Sequence, residues 1–436
     1  MRKMKDSGIE WVGDIPKEWS VYPALYAFSE IRTKNIDGAI TKALKFYNGT
    51  IIPKTNFDAD TDEYVADTIT NYTVVEPDTI MINGLNLNYD LKSLRVGLVK
   101  ETGVITSAYL ALWPNKSLIL PEYATYLFKG YEAKMAFHNM GAGIRKTLGF
   151  KEFKRQPILL PSMTEQQRIV SFLDTECSRI DSVIEQTRAS IEEYKKLKQS
   201  VITQAVTKGI RPGRKMKDSG VEWIGDIPDD WTTPKMGAIC PVITDYVASG
   251  SFASLAENVE YLDEPDYAML IRTADVSNKG YNQKPVYINK HAYEFLHNSN
   301  LFGGELMFPN IGASVGDVYI VPVLYERMSL APNAIMVKTN HVDKYYYYYF
   351  QSKPGRLSIE DIAQSTAQAK FNKTDFRQLR VLLPPDQEQR EIVEYLDKKI
   401  GDIDILIKKK EQLVSEIELY KRAVVFEYVT GKKEVV

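Results

Sequence analysis

The chain has 436 residues, of which 44% are hydrophobic, and these values suit two to four domains of roughly 100–200 residues each. No stretch approaches the ~20 apolar residues of a membrane helix, no signal peptide opens the chain, and two cysteines exclude a disulfide framework, so we expect a cytoplasmic protein. The net charge of −2 excludes a uniformly basic coat for nucleic acid, so any DNA contact requires locally grouped Lys and Arg.

The chain opens with a phrase that it uses twice. MKDSGIEWVGDIPKEW at 4–19 returns as MKDSGVEWIGDIPDDW at 216–231, with twelve of sixteen positions identical at a shift of 212 residues. A second pair, LPSMTEQQRIVSFLD at 160–174 and LPPDQEQREIVEYLD at 383–397, repeats at a shift of 223. Similarity is high around these anchors and low between them. The pattern predicts a duplicated frame that carries two different inserts.

The first divergent block, about 1–160, has mixed α and β character. Short runs rich in β-branched or aromatic residues, bounded by turn residues, predict strands at 80–82, 95–98 and 110–113, and a helix at 122–134. The stretch 129–155 carries seven Lys and Arg against two acids. That excess indicates either a local basic surface or an ordinary solvated face.

Two helical blocks follow the second anchor pair, at about 161–210 and from about 384 onwards. The first helix follows a proline, with Thr164 as the candidate N-cap. Apolar residues spaced alternately by three and four predict a heptad seam in both blocks, formed by Ile180, Ile184, Ile191, Tyr194, Val201, Ile403, Ile407, Val414, Ile417 and Val424. Thirty to forty-odd helical residues give a rod of roughly 45–65 Å.

A helix of that length is marginal without a partner, and the other copy is the simplest partner. Two similar units related by a pseudo-twofold axis bring about an antiparallel pairing. Thr187, Lys198, Lys410 and Lys421 are polar seam positions that could set the register. The alternative is that the two helices pack on separate cores.

The second divergent block, about 216–383, is again α+β. Strands are predicted at 267–271, 306–308, 318–322 and 334–337, and a helix is predicted at 344–351. The loop NIGASVGDV at 310–318 is either a tight turn or a phosphate cradle, and NGLNLNYD at 83–90 is its counterpart without the second glycine. YYYYYF at 345–350 favours core packing over a platform for stacked bases.

Motifs for catalysis are missing from the sequence. GIRPGRK at 209–215 is too short for a phosphate-binding loop and lacks its Ser or Thr, and no GxGxxG follows a strand. The four histidines, His138, His291, His297 and His341, have no spacing typical of a metal-binding helix. We therefore predict a binding subunit without its own metal or cofactor rather than an enzyme.

The chain closely resembles the DNA-specificity subunit of Type I restriction-modification enzymes over essentially its whole length. The resemblance is carried by SGIEWVGDIPKEW and SGVEWIGDIPDDW, by LLPSMTEQQRIVSFLD and LLPPDQEQREIVEYLD, and by the endings SVITQAVTKG and AVVFEYVTGK. It implies an α+β chain with target recognition domains at 1–160 and 216–383. Helical spacers at 161–215 and 384–436 then form an antiparallel intramolecular coiled coil with a pseudo-twofold internal repeat.

The resemblance also implies a function. Each recognition domain reads one half of a split, asymmetric DNA sequence, and the paired helices set the gap between the halves. The helices dock two modification subunits, which bind S-adenosylmethionine and methylate adenine. Restriction subunits, which use ATP and Mg²⁺ and cut DNA, complete the complex. The chain itself is then non-catalytic. Because the first domain lacks the glycine loop of Gly312–Gly316, its grip on DNA need not use the same loop.

Residues that can reach base edges are Arg, Lys, Asn, Gln and Ser in the loops of the two recognition domains. The candidates are Asn83, Asn86, Asn88, Arg145, Lys146, Asn310, Ser314, Gln364, Gln368, Lys370, Asn372 and Lys373. Two other functions stay open at this point: a coiled-coil adaptor without a DNA role, and a stand-alone nuclease that uses scattered carboxylates.

Overall fold

The structure, a computed structural model, describes residues 2–47, 49–54, 69–90, 94–139, 146–277, 284–363 and 369–435. Its contacts divide the chain into two units. Unit 1 comprises Met1–Arg188 and Glu411–Val436, and unit 2 comprises Ala189–Lys410. Each unit therefore contains one divergent block together with part of each long helix.

Unit 1 contains short strands, short helices and the start of a long helix. The strands are β1 Met4–Asp6, β2 Asp14–Pro16, β3 Ser20–Pro23, β4 Phe28–Glu30, β5 Leu44–Tyr47, β6 Thr50–Pro53, β7 Thr73–Val75, β8 Ile80–Ile82, β9 Val96–Leu98, β10 Gly103–Ile105, β11 Leu110–Pro114 and β12 Pro157–Leu160. The helices are α1 Ala24–Ala27, α2 Pro121–Ala133, α3 Phe150–Phe153 and α4 Met163–Lys208, with a 3₁₀ turn at Ala136–Asn139.

Unit 2 repeats this mixture and contains the start of the second long helix. The strands are β13 Met216–Asp218, β14 Asp226–Pro228, β15 Val242–Asp245, β16 Ala268–Ile271, β17 Val286–Ile288, β18 Asn300–Leu301, β19 Leu306–Pro309, β20 Tyr319–Ile320, β21 Met328–Leu330 and β22 Ala334–Lys338. The helices are α5 Met236–Ile239, α6 Phe252–Asn258, α7 Thr273–Val276, α8 Lys290–Phe295, α9 Asp343–Gln351, α10 Lys353–Ile362, α11 Lys373–Gln378 and α12 Asp386–Val429, with 3₁₀ turns at Tyr246–Ser249 and His297–Ser299.

Each unit is built on a four-stranded antiparallel sheet of the same topology. The strand order is β4-β11-β8-β9 in unit 1 and β15-β22-β19-β20 in unit 2. The strands of the two inserts differ. Unit 1 adds the pairs β5-β6 and β7-β10, whereas unit 2 adds a second sheet, β17-β16-β21-β18, in which β16 and β21 are parallel. The predicted combination of a fixed frame and different inserts is visible in these sheets.

The repeated phrase forms the same hairpin in each unit. β1 pairs with β2, and β13 pairs with β14, both antiparallel. The chain then runs antiparallel to the segment before the long helix, with Ser20 opposite Leu160 in unit 1 and Thr232 opposite Leu383 in unit 2. These are equivalent positions at the shifts of 212 and 223. The anchors therefore recur because both copies build one frame.

The long helices have 46 and 44 residues, or about 69 and 66 Å, which is somewhat longer than the sequence predicts. Helix α4 begins at Met163, and the Ser162 hydroxyl accepts a hydrogen bond from the Glu165 backbone N–H at 3.3 Å. The prediction of Thr164 as N-cap is therefore wrong by two residues, because Ser162 already supplies a capping oxygen. None of the helices described is long and apolar enough to span a membrane.

The two helices run antiparallel within each unit. In unit 1, Lys421 Nζ lies 2.6 Å from Asp181, and in unit 2 the equivalent Lys198 Nζ lies 2.7 Å from Asp404. The seam residues Ile180, Ile184, Ile191, Ile403, Val414 and Val424 are buried, and Tyr194, Val201, Ile407 and Ile417 are half-buried. The predicted seam is thus the packed face, and the two polar lysines form the same ion pair at equivalent positions.

The prediction of an α+β fold with two mixed domains and an antiparallel helix pair is confirmed. The tyrosine run also packs as expected, since five of the six residues at 345–350 are buried. Some of its hydroxyl groups are buried as well. Tyr346 and Tyr349 have buried hydroxyls without a hydrogen-bond partner among the described residues, whereas the Tyr345 hydroxyl donates to the Val206 carbonyl.

Candidate nucleic-acid interface

The first turn of α4 holds the repeated hairpin of unit 1. The Glu165 carboxylate accepts hydrogen bonds from the buried indole Nε1 of Trp19 and from Arg2 Nη2, both at 2.9 Å. The Arg2 guanidinium also lies 5.6 Å from the centre of the Trp19 ring. The hydrogen bond to Glu165, together with a weaker contribution from Glu18, raises the pKa of Arg2. One acidic side chain of the long helix therefore binds residues on both sides of the hairpin.

Unit 2 repeats the same three-residue contact. The Glu388 carboxylate accepts from Trp231 Nε1 at 3.0 Å and from Arg214 Nη2 at 3.2 Å, and Arg214 lies 5.7 Å from the Trp231 ring centre. Trp231 and Glu388 are both buried. The tryptophans and glutamates lie in the repeated phrases, and the two arginines precede those phrases at the same shift of 212. The spacing alone does not show that these residues meet.

The glutamine that follows each glutamate fixes the recognition domain to the same helix. In unit 1, the buried Gln166 accepts from the backbone N–H of Leu120 at 2.8 Å, just before α2. In unit 2, Gln389 accepts from the Val342 N–H at 3.2 Å, just before α9. The repeated Glu-Gln pair thus orients each sheet and its loops relative to the first turn of a long helix.

In unit 1, two distant stretches of candidate residues meet at the end of β8. The loop 83–90 contains Asn83, Asn86 and Asn88, of which Asn86 and Asn88 are exposed. The Leu87 N–H donates to the Lys146 carbonyl at 3.2 Å, and the Leu148 N–H donates to the Gly84 carbonyl at 2.9 Å. The structure therefore brings these asparagines beside the exposed Lys146.

In unit 2, the equivalent loop, 310–318, packs against the equivalent segment, 369–371. The Gly312 N–H donates to the Ala369 carbonyl at 2.9 Å, and the Phe371 N–H donates to the Asn310 carbonyl at 3.1 Å. Leu148 and Phe371 occupy matched positions at the shift of 223, and both are buried. Asn310 and Ser314 consequently lie in a loop that is tied to the exposed Lys370.

Two other candidates already have structural partners. Asn372 is the N-cap of α11 and accepts from the Asp375 N–H at 2.9 Å, and Lys373 pairs with Asp245 at 2.8 Å. Contact with a base would require these bonds to be replaced. Arg145, Gln364 and Gln368 lie outside the described residues.

Sequence reasoning missed Arg95, which it treated only as the first residue of a strand. Arg95 is fully buried at the base of the 83–90 loop, and its backbone N–H donates to the Glu132 carboxylate. Burial raises the pKa of Glu132 to about 7, although the hydrogen bond from Arg95 and the charges of Lys129, Arg422 and Arg95 act in the opposite direction. The cue in the sequence was a basic residue at the edge of an apolar strand, which is too common to single it out.

We expect Glu132→Gln to remove a pH dependence from the stability of unit 1. The folded pKa lies above the ordinary value, so the stabilising contribution of Glu132 is fully present below about pH 4.5 and is lost as pH rises through about 7. Its size is at most about 3 kcal/mol. Thermal unfolding midpoints at about pH 5 and about pH 8 should therefore differ less in the variant than in the parent chain.

Glu122→Gln provides the control for this measurement, because Glu122 is exposed on the same helix. It should keep the pH dependence of the parent. Identical pH dependence in all three chains would show that Glu132 is not the group responsible.

Within the described ranges, no three His, Cys, Asp or Glu side chains are grouped so that they could hold a metal ion. Both units have a sheet with a loop at its end, and in each unit that loop is hydrogen-bonded to a second segment. The sequence of the second segment differs between the units. The fold and these paired loops define a two-part recognition scaffold.

Comparison with known proteins specifies the family. The family model for the Type I restriction modification DNA specificity domain matches residues 95–193 and 228–415. The chain therefore belongs to this family and is a specificity subunit of a Type I restriction-modification system, a DNA-recognition protein without catalytic activity of its own.

Individual relatives agree with this assignment. The putative type I restriction enzyme MjaX specificity subunit of Methanocaldococcus jannaschii is 27% identical over 332 residues, which cover 74% of this chain and 70% of the relative. The type I restriction enzyme MjaVIII specificity subunit of the same organism is 22% identical over 423 residues, which cover 96% and 93%.

Solved structures share the fold. A chain from a study of complex assembly and conformational transition in a type I restriction-modification system has a TM-score of 0.67 at 15% identity, covering 96% of this chain and 99% of that one. The HsdS subunit from Thermoanaerobacter tengcongensis has a TM-score of 0.50 at 14% identity, covering 98% and 100%.

Proposed function

We propose that this chain reads a bipartite, asymmetric DNA target, one half with each unit. The recognition domains are residues 1–160 and 216–383, and the helical spacers are residues 161–215 and 384–436. The observation that carries the proposal is the matched pair of loops at 83–90 and 310–318, held by equivalent hydrogen bonds on equivalent sheets. Equal frames with unequal loop residues suit two half-sites of different sequence.

The side chains in these loops have the chemistry that base reading requires. Asn side chains pair with adenine edges through both amide atoms, and Lys reaches guanine or phosphate oxygens. We assign Asn86, Asn88 and Lys146 to one half-site and Ser314 and Lys370 to the other, with Asn83 and Asn310 at the loop bases. Arg145, Gln364, Gln368, Asn372 and Lys373 stay as candidates from the sequence.

The long helices are proposed to set the gap between the half-sites. A helix of 46 residues is about 69 Å long, which exceeds the ~34 Å of one DNA turn. The Lys421–Asp181 and Lys198–Asp404 ion pairs support one fixed register rather than a sliding pair.

The same helices are proposed to dock two modification subunits. In unit 1, Val183 and Tyr420 each precede a seam residue, so both lie on one flank of the helix pair, and they are 43% and 55% exposed. Their equivalents in unit 2, Leu406 and Leu197, are 41% and 48% exposed. An apolar pair repeated at the same positions suits two copies of one partner.

The partners supply the chemistry of the complex. Modification subunits would bind S-adenosylmethionine and methylate adenine, and restriction subunits would use ATP and Mg²⁺. We place the assembly in the cytoplasm, where it meets DNA, and both free cysteines are consistent with a reducing compartment.

Coexpression with its modification subunit tests this function. The pair should methylate adenine at one bipartite sequence, with binding that weakens steeply as salt rises. The chain alone should methylate nothing. Methylation without this chain, or a salt-independent complex on DNA, would support the adaptor alternative, and cleavage by the pure chain with Mg²⁺ would support the nuclease.

A further inference from the structure

One fully buried arginine, Arg95, holds the loop 83–90 of unit 1. The Arg95 guanidinium donates from Nη1 to the carbonyls of Asn83 and Leu85 at 2.9 and 2.8 Å, and from Nη2 to the Asp90 carbonyl at 2.6 Å. Asn83 and Asp90 are the first and last residues of the loop. A single side chain therefore ties both ends of the loop together.

Ordinary stability does not account for this arrangement. Burying a guanidinium is costly unless its donors are satisfied, and Arg95 Nε has no hydrogen-bond partner among the described residues. The Asp90 carboxylate lies 3.7 Å away and offsets part of the charge. What the arginine provides is geometry, because a rigid planar fork holds three carbonyls that an apolar side chain could not hold.

The held backbone determines where the exposed asparagines stand. Asn86 adopts a left-handed conformation with φ of 52°, and its carbonyl accepts from the N–H groups of Tyr89 and Asp90. The loop is thus a compact turn whose ends are fixed by Arg95 and whose middle carries Asn86 and Asn88. Placement within about half an ångström is what specific recognition needs.

Unit 2 closes its loop by different means. Gly312 and Gly316 have φ of 95° and 96°, which side chains rarely adopt, and Asp317 pairs with Arg356 at 2.9 Å. The residue before β20 is the buried apolar Val318, where unit 1 has Arg95 before β9. Arg95 therefore fixes the loop of unit 1, which contains Gly84 but lacks the second glycine.

We propose that Arg95 is a positioning residue that sets the base preference of the unit 1 half-site. This inference rests on the proposed function. Arg95 does not need to contact DNA itself, because it acts through the loop that carries Asn86 and Asn88.

The test is methylome sequencing of cells that carry the modification subunit with the parent chain, Arg95→Met or Arg95→Lys. We expect the methionine variant to lose about tenfold or more discrimination at one or more positions of a single half-site. The other half-site and the gap should stay unchanged, which provides a control within the same molecule. The lysine variant, which keeps the charge but not the fork, should relax the same positions.

The results distinguish a failure of this inference from a failure of the proposed function. If the parent chain directs no bipartite methylation, the proposed function fails. If the parent does so and both variants methylate an unchanged motif at a lower level, Arg95 is only structural and the inference is overturned. Complete loss of methylation with both variants also overturns it, because the lysine form should retain a readable loop.

Discussion

Glu388→Ala should lower the free energy of opening the unit 2 hairpin away from its long helix by about 3–5 kcal/mol. The substitution leaves Arg214 and the buried Trp231 indole without their shared acceptor. The Glu388 side chain is only 3% exposed, so water cannot replace it. Hydrogen–deuterium exchange of the 216–231 amides should accelerate by a factor of about 100 or more.

Matched variants make this result specific. Glu165→Ala removes the equivalent carboxylate from unit 1, where the side chain is 22% exposed, so we expect about 2–4 kcal/mol and faster exchange at 4–19 only. Glu394→Ala, at an exposed position of the same helix as Glu388, should change the opening free energy of either hairpin by less than about 0.5 kcal/mol. Unchanged exchange at 216–231 in Glu388→Ala would show that the carboxylate does not hold the hairpin.

Replacing Val183 and Tyr420 together by Glu should remove one of two modification subunits from the complex. Each side chain is exposed, so the chain should fold normally, but two charges on the apolar flank would have to be buried on docking. A penalty of about 3 kcal/mol or more weakens binding over 100-fold. Native mass spectrometry should show one modification subunit per chain.

The equivalent pair in unit 2, Leu197→Glu with Leu406→Glu, should remove the other copy. Arg188→Ala with Glu418→Ala tests the opposite flank, where these side chains form an ion pair at 2.6 Å, and should leave two copies bound. If both apolar pairs can be charged without loss of a subunit, the docking surface lies elsewhere.

Much of the fold could be predicted because it follows from repetition and periodicity. The heptad spacing identified the buried seam, and the β-branched runs identified the central strands β8, β11, β19 and β22 to within one residue at either end. The repeated anchors predicted a common frame, and the equivalent sheets confirm it.

The parts that could not be predicted depend on contacts between distant residues. Glu165 and Glu388 stand out as repeated letters, but their partners Trp19 and Trp231 lie roughly 150 positions earlier in the chain. The second sheet of unit 2 includes a parallel pair, which no local pattern specifies. Arg95 has no counterpart in the other copy, so the duplication gave no signal for it.

We propose that the doubled frame holds two unlike recognition domains at a distance set by the paired helices. The most direct measurement is methylome sequencing after one heptad is inserted into α4 after Arg188 and into α12 before Glu411, which adds about 10 Å to each helix and keeps the seam in phase. We predict a methylated motif with both half-sites unchanged and about three more unread base pairs between them. A motif with the original gap, or with altered half-sites, would contradict the claim.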